Sequence, residues 1–372
     1  MTKRLAARHR RSVVNNDGHI IGLDLGATAV RAVVLEPGRL DGHPVVTMHS
    51  VATQTLPSGV VVNGVVQDPE TLTAALKQLW ASHKMPCNRV ILGVANSQVL
   101  VRDMTIPDLD PDQRAKALPF QAREIIALPI DQVVLDFCPL GQPDPGTGMV
   151  QGLLMASPRE PVLTAVRAVE RAGLTVARVD LASLGALRSI ADARPTVGAI
   201  VDLGAHLSTI LVHDHGVPKL VRTLARGGQS LTVQLAERLS IGELEAEYAK
   251  RESGLEAHGS EVARLLEEAL RPLVAEVRTS IQYFRVSNPG TQLDQLSLTG
   301  GGASLKGIAE RLQEQIGLPT RVVDPLQHVR PDARARGNRP SVLFDALRQE
   351  AEDTSLERPS AVSVGLAMGR AA

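Results

Sequence analysis

The chain has 372 residues, of which 44% are hydrophobic, and its 40 Lys and Arg residues balance 40 Asp and Glu residues. This length predicts two or more domain-sized units, or one fold built from two halves, around a large apolar core. Because the net charge is zero and aromatic residues make up only 2% of the chain, composition argues against nucleic-acid binding, broad membrane attraction and a base-stacking surface.

The two cysteines, Cys87 and Cys138, lack the spacing of a metal or redox motif. They favour a reduced, cytoplasmic setting over a disulfide framework. No run approaches the roughly 18–20 apolar residues of a membrane span. Residues 1–18 are basic and without a secretory apolar region, which predicts a disordered tail. The alternative interpretation is weak attraction to anionic lipid.

The first ordered part of the chain, residues 19–97, predicts a core of strands and one helix. Residues 20–35 predict a strand, a tight DLGAT turn and a second strand. The stretch DPETLTAALKQLWASHK predicts a helix because Leu72, Leu76 and Leu79 recur at helical spacing. The apolar run RVILGVAN then predicts a buried strand.

Residues 98–180 predict a small α/β subdomain inserted into the first half. VLVRDMTIP and VVLDFCPL predict strands, and Asp110 with Pro111 predicts the start of a helix. A second helix is predicted after Ser157, with Glu160 three residues later completing a capping box.

The remaining residues, 181–372, predict a second lobe. A strand–turn–strand unit is followed by helical sequence over roughly 229–286, where an apolar stripe indicates core packing. Residues 331–356 are polar and predict a partly mobile loop, and the segment after them predicts a short final helix. The stripe consists of Val262, Leu266, Leu270, Leu273, Val277 and Ile281.

The sequence DLGA occurs twice, half a chain apart, with Asp24 in the first copy and Asp202 in the second. Both copies have apolar residues before the Asp and an apolar strand after the turn. Each strand is expected to end at a turn glycine, Gly38 or Gly216. The pattern therefore predicts one β-hairpin built twice.

These two turns have the chemistry of a phosphate site. Backbone N–H groups in glycine turns bind anions, and the hydroxyls of Thr28 and Ser208 can add hydrogen bonds. An Asp beside phosphate is useful where Mg²⁺ lies between them. A single turn of this kind is ordinarily only a hairpin, so the repetition carries the interpretation.

A third motif, TGGGASLKGI, places Gly300, Gly301 and Gly302 between an apolar strand and a helix. Glycines in this context let the backbone approach a nucleotide, although a plain loop has the same pattern. The three motifs in this order indicate nucleotide binding between two related halves.

These motifs resemble those of the actin/Hsp70/sugar-kinase ATPase superfamily. The chain is most similar to the type IV pilus assembly protein PilM family, with the cell-division protein FtsA as the nearest neighbour. IIGLDLGATAVRAV, VERAGLTVARVDL, VDLGAHLSTILVHDHG, AEYAK and LTGGGASLKGIAERLQEQIG carry the resemblance. It implies an α/β, actin-like (ribonuclease H-like) duplicated ATPase fold, with two lobes around a nucleotide cleft and a small inserted α/β subdomain.

The resemblance also implies ATP and Mg²⁺ as cofactors and assigns the site residues. Asp24 would hold Mg²⁺ through water, and Asp202 would lie near the metal or the attacking water as the catalytic residue. The expected nucleotide-binding residues are Gly26, Ala27, Thr28, Arg31, Gly204, Ala205, His206, Gly227, Gly228, Glu247, Lys250, Gly300, Gly301 and Gly302.

Three features of the sequence bear on these assignments. Glu247 and Lys250 also fit an ordinary solvated helical pair. Arg31 stands where the family usually has Lys, and a planar guanidinium does not substitute simply for an ammonium. The segment DLASLGALRS has no Gln or Glu to orient water. The sequence therefore predicts at most a slow Mg²⁺-dependent ATPase.

The resemblance implies a cytoplasmic adaptor of the pilus assembly complex. It would bind the cytoplasmic N-terminal peptide of a PilN-like inner-membrane protein and lie at the inner face of the membrane through that partner. Two alternatives remain open at this point. One is a small-molecule kinase or phosphotransferase, for which the sequence shows no substrate motif. The other is an FtsA-like filament-forming scaffold, for which the C-terminus offers no amphipathic anchor.

Overall fold

The structure, a computed structural model, describes residues 19–40, 43–83, 85–191, 196–257, 259–331 and 358–369. The predicted tail, residues 1–18, and nearly all of the predicted loop at 331–356 lie outside these ranges. The strands are β1 Ile20–Leu25, β2 Ala29–Leu40, β3 His43–Thr55, β4 Val61–Val62, β5 Val65–Val66, β6 Arg89–Val94, β7 Leu100–Pro107, β8 Val133–Pro139, β9 Met149–Pro158, β10 Thr175–Leu181, β11 Val197–Leu203, β12 Ser208–Asp214, β13 Val217–Leu224, β14 Gln295–Thr299, β15 Thr320–Val322 and β16 Arg330–Pro331.

Nine α-helices are assigned within the described ranges. Every one of them is too short or too polar to span a bilayer. The helices are α1 Pro69–His83, α2 Pro111–Gln121, α3 Arg159–Arg171, α4 Ala182–Ile190, α5 Gly228–Leu239, α6 Glu243–Ser253, α7 Glu261–Ser287, α8 Ile308–Ile316 and α9 Ala361–Ala367.

Two large sheets repeat one topology. The six-stranded sheet has the order β10-β6-β1-β2-β3-β16, and the five-stranded sheet has the order β13-β12-β11-β14-β15. In the first sheet β1, β2 and β3 are antiparallel neighbours, whereas β6 and β10 run parallel to β1. In the second sheet β11, β12 and β13 are antiparallel, whereas β14 and β15 run parallel to β11. The chain is therefore a duplication, as the repeated DLGA sequence predicts.

Each large sheet has its own helical cover and apolar core. We call the six-stranded sheet with its helices the first core and the five-stranded sheet with its helices the second core. In the first core, Leu72, Leu76 and Leu79 of α1 pack with the buried valines of α3 against β1 and β2. In the second core, α5, α6 and α7 pack against β11, β12 and β14. The predicted stripe of α7 faces this core, with Leu266 and Val277 fully buried.

The helices α4 and α9 pack against each other in a third cluster that contains residues from both large sheets, including Ile91 and Ile200. Their backbones touch, because a Cβ on Gly365 would overlap the carbonyl oxygen of Gly185. A Cβ on Gly22 of β1 would likewise overlap the carbonyl oxygen of Ser363 in α9. Glycines at these positions bring the two helices and β1 together at backbone distance.

A separate three-stranded sheet, of order β7-β9-β8, and α2 form a small unit with its own apolar cluster. The cap of α2 is as predicted, because the Asp110 carboxylate accepts from the backbone N–H groups of Asp112 and Gln113. However, β10 pairs with β6 of the first core, and α3 packs there too. We therefore propose that the small unit ends near Pro158, earlier than the expected boundary at 180.

Two local expectations are wrong. β2 continues through Gly38 to Leu40, so Gly38 is a strand residue, whereas Gly216 has the positive φ of a turn. The predicted capping box is also absent: Pro158 is the N-cap of α3, and Ser157 lies in β9. The Ser157 hydroxyl accepts a hydrogen bond from Asn96 instead. In both cases the strand pairing extends further than the local sequence signal suggests.

Candidate nucleotide-binding site

The two DLGA turns have the same backbone geometry. In the first turn Gly26 N donates to Ala29 O at 3.1 Å, and in the second Gly204 N donates to Leu207 O at 2.9 Å. A Cβ on either glycine would lie 2.8 Å from that acceptor oxygen. Glycine is thus needed at both positions for the same steric reason, which supports the predicted equivalence of the turns.

The second residue after each glycine, Thr28 in the first turn and His206 in the second, differs in exposure. Thr28 is exposed to solvent, and Ala27 is partly buried, so the first turn has a small exposed surface. In the second turn Ala205 and His206 are partly buried, and the His206 Nδ1 atom is buried without a hydrogen-bond partner among the described residues. The expectation for Ser208 is wrong, because its hydroxyl is fully buried and donates to Arg226 O at 2.7 Å.

Asp24 and Asp202 come from the two cores, and the negative charge of Asp24 acts on Asp202. Burial, reinforced by the negative charge of Asp24 and opposed by Arg31, raises the pKa of Asp202 to about 7. Burial also raises the pKa of Asp24, against the opposing effects of a Ser360 hydrogen bond and Arg31. The fold therefore brings two carboxylates from distant parts of the sequence into one electrostatically strained site.

Arg31 lies beside Asp24 in the β1–β2 register. Its Nε donates to the carbonyl oxygen of Arg358 at 3.1 Å. The guanidinium lowers the pKa of each of the two aspartates, although burial raises both more strongly. Arg31 thus lies beside the first turn, held by a backbone contact, and its charge acts on both aspartates.

The predicted glycine turn contacts the second DLGA turn. β14 pairs with β11 so that Thr299 faces Asp202, and Gly300 follows with a φ of 83°. A Cβ on Gly300 would overlap Oδ1 of Asp202, and one on Gly302 would lie 2.9 Å from the Leu203 side chain. Gly301 has open space around the position of a Cβ.

The start of α5 is tied to the second DLGA turn through its backbone. Gly228 N donates to Gly204 O and Gln229 N donates to Ala205 O, both at 2.9 Å. A Cβ on Gly227 would overlap the carbonyl oxygen of Gly204. Gly227 and Gly228 thus lie against the second DLGA turn, but the N–H of Gly228 already donates to Gly204 O.

Glu247 and Lys250 form a network between α6 and α5, so they are more than a solvated helical pair. Lys250 Nζ donates to Thr232 Oγ1 at 2.7 Å and to Gly228 O at 3.2 Å, and it also contacts Glu247. Burial opposes the ionisation of Glu247, but hydrogen bonds from Lys250, Thr232 and Arg251 outweigh it and lower its pKa to about 2. The Lys250 side chain is 12% exposed.

The residues present fit a magnesium ion that is shared with phosphate. Among the described residues no cluster of three or more His, Cys, Asp or Glu side chains could hold a metal alone. Mg²⁺, however, commonly uses one or two carboxylates together with waters and substrate phosphates. Asp24 and Asp202 supply two repelling carboxylates that a cation would stabilise.

Sequence reasoning missed Ser360, the N-cap of α9. Its hydroxyl donates to Asp24 Oδ2 at 2.6 Å across a separation of 336 positions. The only sequence signal is a serine before a short apolar helix, which predicts a cap but no partner.

The duplicated sheets, with equivalent turns and an acidic residue at each, define a protein with the actin-like ATPase fold. The structure of MreB 5 of Spiroplasma citri bound to AMPPNP has this fold, with a TM-score of 0.52, 14% identity and coverage of 83% of this chain and 92% of that chain. The Bacillus subtilis cell division protein FtsA is 21% identical over 357 residues, 84% of this chain and 80% of FtsA.

The sequence matches the family described as type IV pilus assembly protein PilM over residues 22–368, and the chain belongs to this family. The structure of a PilM–PilN type IV pilus biogenesis complex has a TM-score of 0.77 and 25% identity to this chain. The similarity covers 94% of this chain and 97% of that one. The fold class and the family resemblance expected from the sequence are confirmed.

Proposed function

We propose that this protein binds ATP with Mg²⁺ between its two DLGA turns and acts as an actin-like component of type IV pilus assembly. The observation that carries the nucleotide proposal is the equivalent position of Asp24 and Asp202 in the two hairpins, with the charge of Asp24 acting on Asp202. Two repelling carboxylates beside glycine turns suit a cation–phosphate ligand better than an uncharged one.

In this proposal each group has a distinct role. When bound, Mg²⁺ would neutralise phosphate charge, with Asp24 holding it through water and Asp202 close to it. Gly26, Ala27 and Thr28 would contact phosphate oxygens from the first core, and Gly204, Ala205 and His206 from the second. Gly300 to Gly302 would lie against the adenosine, and Glu247 with Lys250 would face the ribose and base.

We also propose that turnover is slow or absent. α4 spans the segment where an activating Gln or Glu is missing. The nearby carboxylate of Asp180 is held by Arg188 at 2.7 Å and Arg178 at 3.1 Å, so it is committed to ion pairs. By its position beside the second DLGA turn, Asp202 is our candidate for accepting a proton from water.

The proposed partner is the cytoplasmic N-terminal peptide of a PilN-like inner-membrane protein. Membership of the PilM family and the similarity to a PilM–PilN complex support it. The protein would then be cytoplasmic and lie at the inner face of the membrane through this partner. Binding of nucleotide between the cores would bias their relative position and couple nucleotide state to assembly.

The test combines three measurements on the full chain. A fluorescent ATP analogue is titrated with and without Mg²⁺, phosphate release is followed with ATP, and an immobilised PilN-like N-terminal peptide is used for capture. We expect Mg²⁺-dependent binding, little phosphate release and peptide capture. Asp24→Asn should lose the Mg²⁺ dependence, whereas Asp131→Asn, at an exposed carboxylate of the small unit, should keep it. Rapid turnover that requires an added metabolite would instead support a phosphotransferase.

A further inference from the structure

We propose that Ser360 is a positioning residue for the metal-facing carboxylate of Asp24, an inference that rests on the proposed Mg²⁺–nucleotide function. Its hydroxyl would hold one carboxylate oxygen so that the other stays directed to the cation or its water. This assigns a role in ligand binding to a residue that lies outside the three sequence motifs.

The contact is short and specific. Ser360 Oγ lies 2.6 Å from Asp24 Oδ2 and 3.0 Å from Ser363 Oγ. A hydroxyl has one proton to donate, and the shorter contact to a charged acceptor is the stronger of the two. The Asp24 oxygen Oδ2 is therefore the principal acceptor, while Oδ1 makes no hydrogen bond to any residue that the structure describes.

The Ser360 hydroxyl is itself fixed by the first turn of α9. Its oxygen accepts from Ser363 N at 3.0 Å, and Ser363 Oγ donates back to Ser360 O at 3.0 Å. Ser363 is fully buried. The Ser360 rotamer is thus set by the cap, and it is not free to follow the carboxylate.

The α9 helix is anchored independently of this hydrogen bond. It packs on β1 through Gly22 and on α4 through Gly365, at positions where a Cβ would overlap the neighbouring backbone. Just before α9, the Arg358 carbonyl accepts from Arg31 Nε at 3.1 Å. The same short segment therefore holds both Asp24 and Arg31, the acidic and the basic group beside the first turn.

A rigid donor to a metal-facing carboxylate has a known physical effect. Such outer partners orient the ligand, and their loss typically reduces metal affinity by about 10–100-fold. Removal of the hydroxyl should therefore weaken the metal step and leave metal-free nucleotide binding nearly unchanged.

The experiment uses the full chain and a fluorescent ATP analogue. Kd is measured in excess EDTA, and the Mg²⁺ concentration for half-maximal binding is measured separately. The variants are Ser360→Gly, Ser360→Thr and Ser363→Ala. Glycine is a tolerated N-cap residue and lacks the hydroxyl, whereas threonine keeps both the cap and the hydroxyl. Ser363→Ala removes a hydroxyl of the same cap but keeps the Ser363 N–H that donates to Ser360 Oγ, and no hydrogen bond joins Ser363 to Asp24 among the described residues.

We expect Ser360→Gly to need roughly 10-fold or more Mg²⁺, with a Kd in EDTA close to that of the wild type. Ser360→Thr and Ser363→Ala should titrate like the wild type. An unchanged Mg²⁺ midpoint in Ser360→Gly would overturn the inference, as would equal shifts in Ser360→Gly and Ser363→Ala. A wild-type chain that binds nucleotide without any Mg²⁺ effect, or not at all, overturns the proposed function and this inference together.

Discussion

The carboxylate of Asp24 in the first core raises the pKa of Asp202 in the second, adding to a larger effect of burial that brings this pKa to about 7. The two residues occupy the same position of the repeated hairpin, because Asp24 is the last residue but one of β1 and Asp202 is the last residue but one of β11. The charge repulsion between them is therefore a direct consequence of the duplication.

The first prediction concerns the pH dependence of stability without ligand. In the folded protein Asp202 keeps its proton up to about pH 7, whereas its ordinary pKa of 3.8 applies in the unfolded chain. Its contribution to stability is thus greatest at low pH and falls as pH rises from about 4 to 7. Asp202→Asn should flatten this part of a melting-temperature profile in EDTA and be more stable than the wild type at about pH 8.

Asp131→Asn is the matched control, because Asp131 is exposed in the small unit. Its profile should run parallel to that of the wild type. If Asp202→Asn kept the wild-type slope of melting temperature against pH, the raised pKa of Asp202 would not be the cause of that slope.

The second prediction concerns the link between α5 and α6. Glu247 contributes stability above its ordinary pKa of 4.5, and this contribution is lost as pH falls toward about 2. Glu247→Gln should cost about 1–3 kcal/mol at neutral pH, because the largely buried Lys250 ammonium loses its charged partner. Urea unfolding at neutral and acidic pH measures both effects, and the deficit should shrink in acid.

Glu245→Gln removes an exposed carboxylate from the same helix, so its unfolding midpoint should stay at the wild-type value. Equal losses in the two variants would mean that general helix charge, and not this network, sets the effect.

The third prediction separates two adjacent glycines. Gly300→Ala should destabilise the unligated protein by at least about 1 kcal/mol, because its φ is 83° and the new Cβ would overlap Asp202 Oδ1. Gly301→Ala meets no atom within 4 Å and should melt like the wild type. Thermal unfolding measures both variants, and equal melting temperatures would contradict this prediction.

The fourth prediction tests the α4–α9 contact. Gly365→Ala should cost about 1–3 kcal/mol or more, since the added methyl group would overlap the Gly185 carbonyl and force the helices apart. Gly141→Ala, in a loop with open space, is the steric control. Denaturant unfolding gives the comparison, and a wild-type midpoint for Gly365→Ala would contradict the close helix contact.

Local chemistry made a large part of the fold predictable. The turns at Gly26 and Gly204 and the cap at Asp110 follow from contacts within a few residues, and the apolar stripe of α7 follows from the spacing of its residues. Where strand pairing decides the outcome, local signals failed. Gly38 is inside β2, and Ser157 is inside β9, because each strand has a partner along its full length.

The sequence by itself determined that the chain repeats one glycine hairpin with an Asp at each copy, and hence that it belongs with duplicated nucleotide-binding folds. Turn geometry and strand periodicity are short-range properties, so the order of residues is sufficient to reveal them. Only the tertiary structure decided that Ser360 holds Asp24, that Ser208 is buried, and that α3 and β10 join the first core. Those outcomes depend on which surfaces meet in the folded chain, across 336 positions for Ser360 and Asp24, and no local pattern specifies that choice.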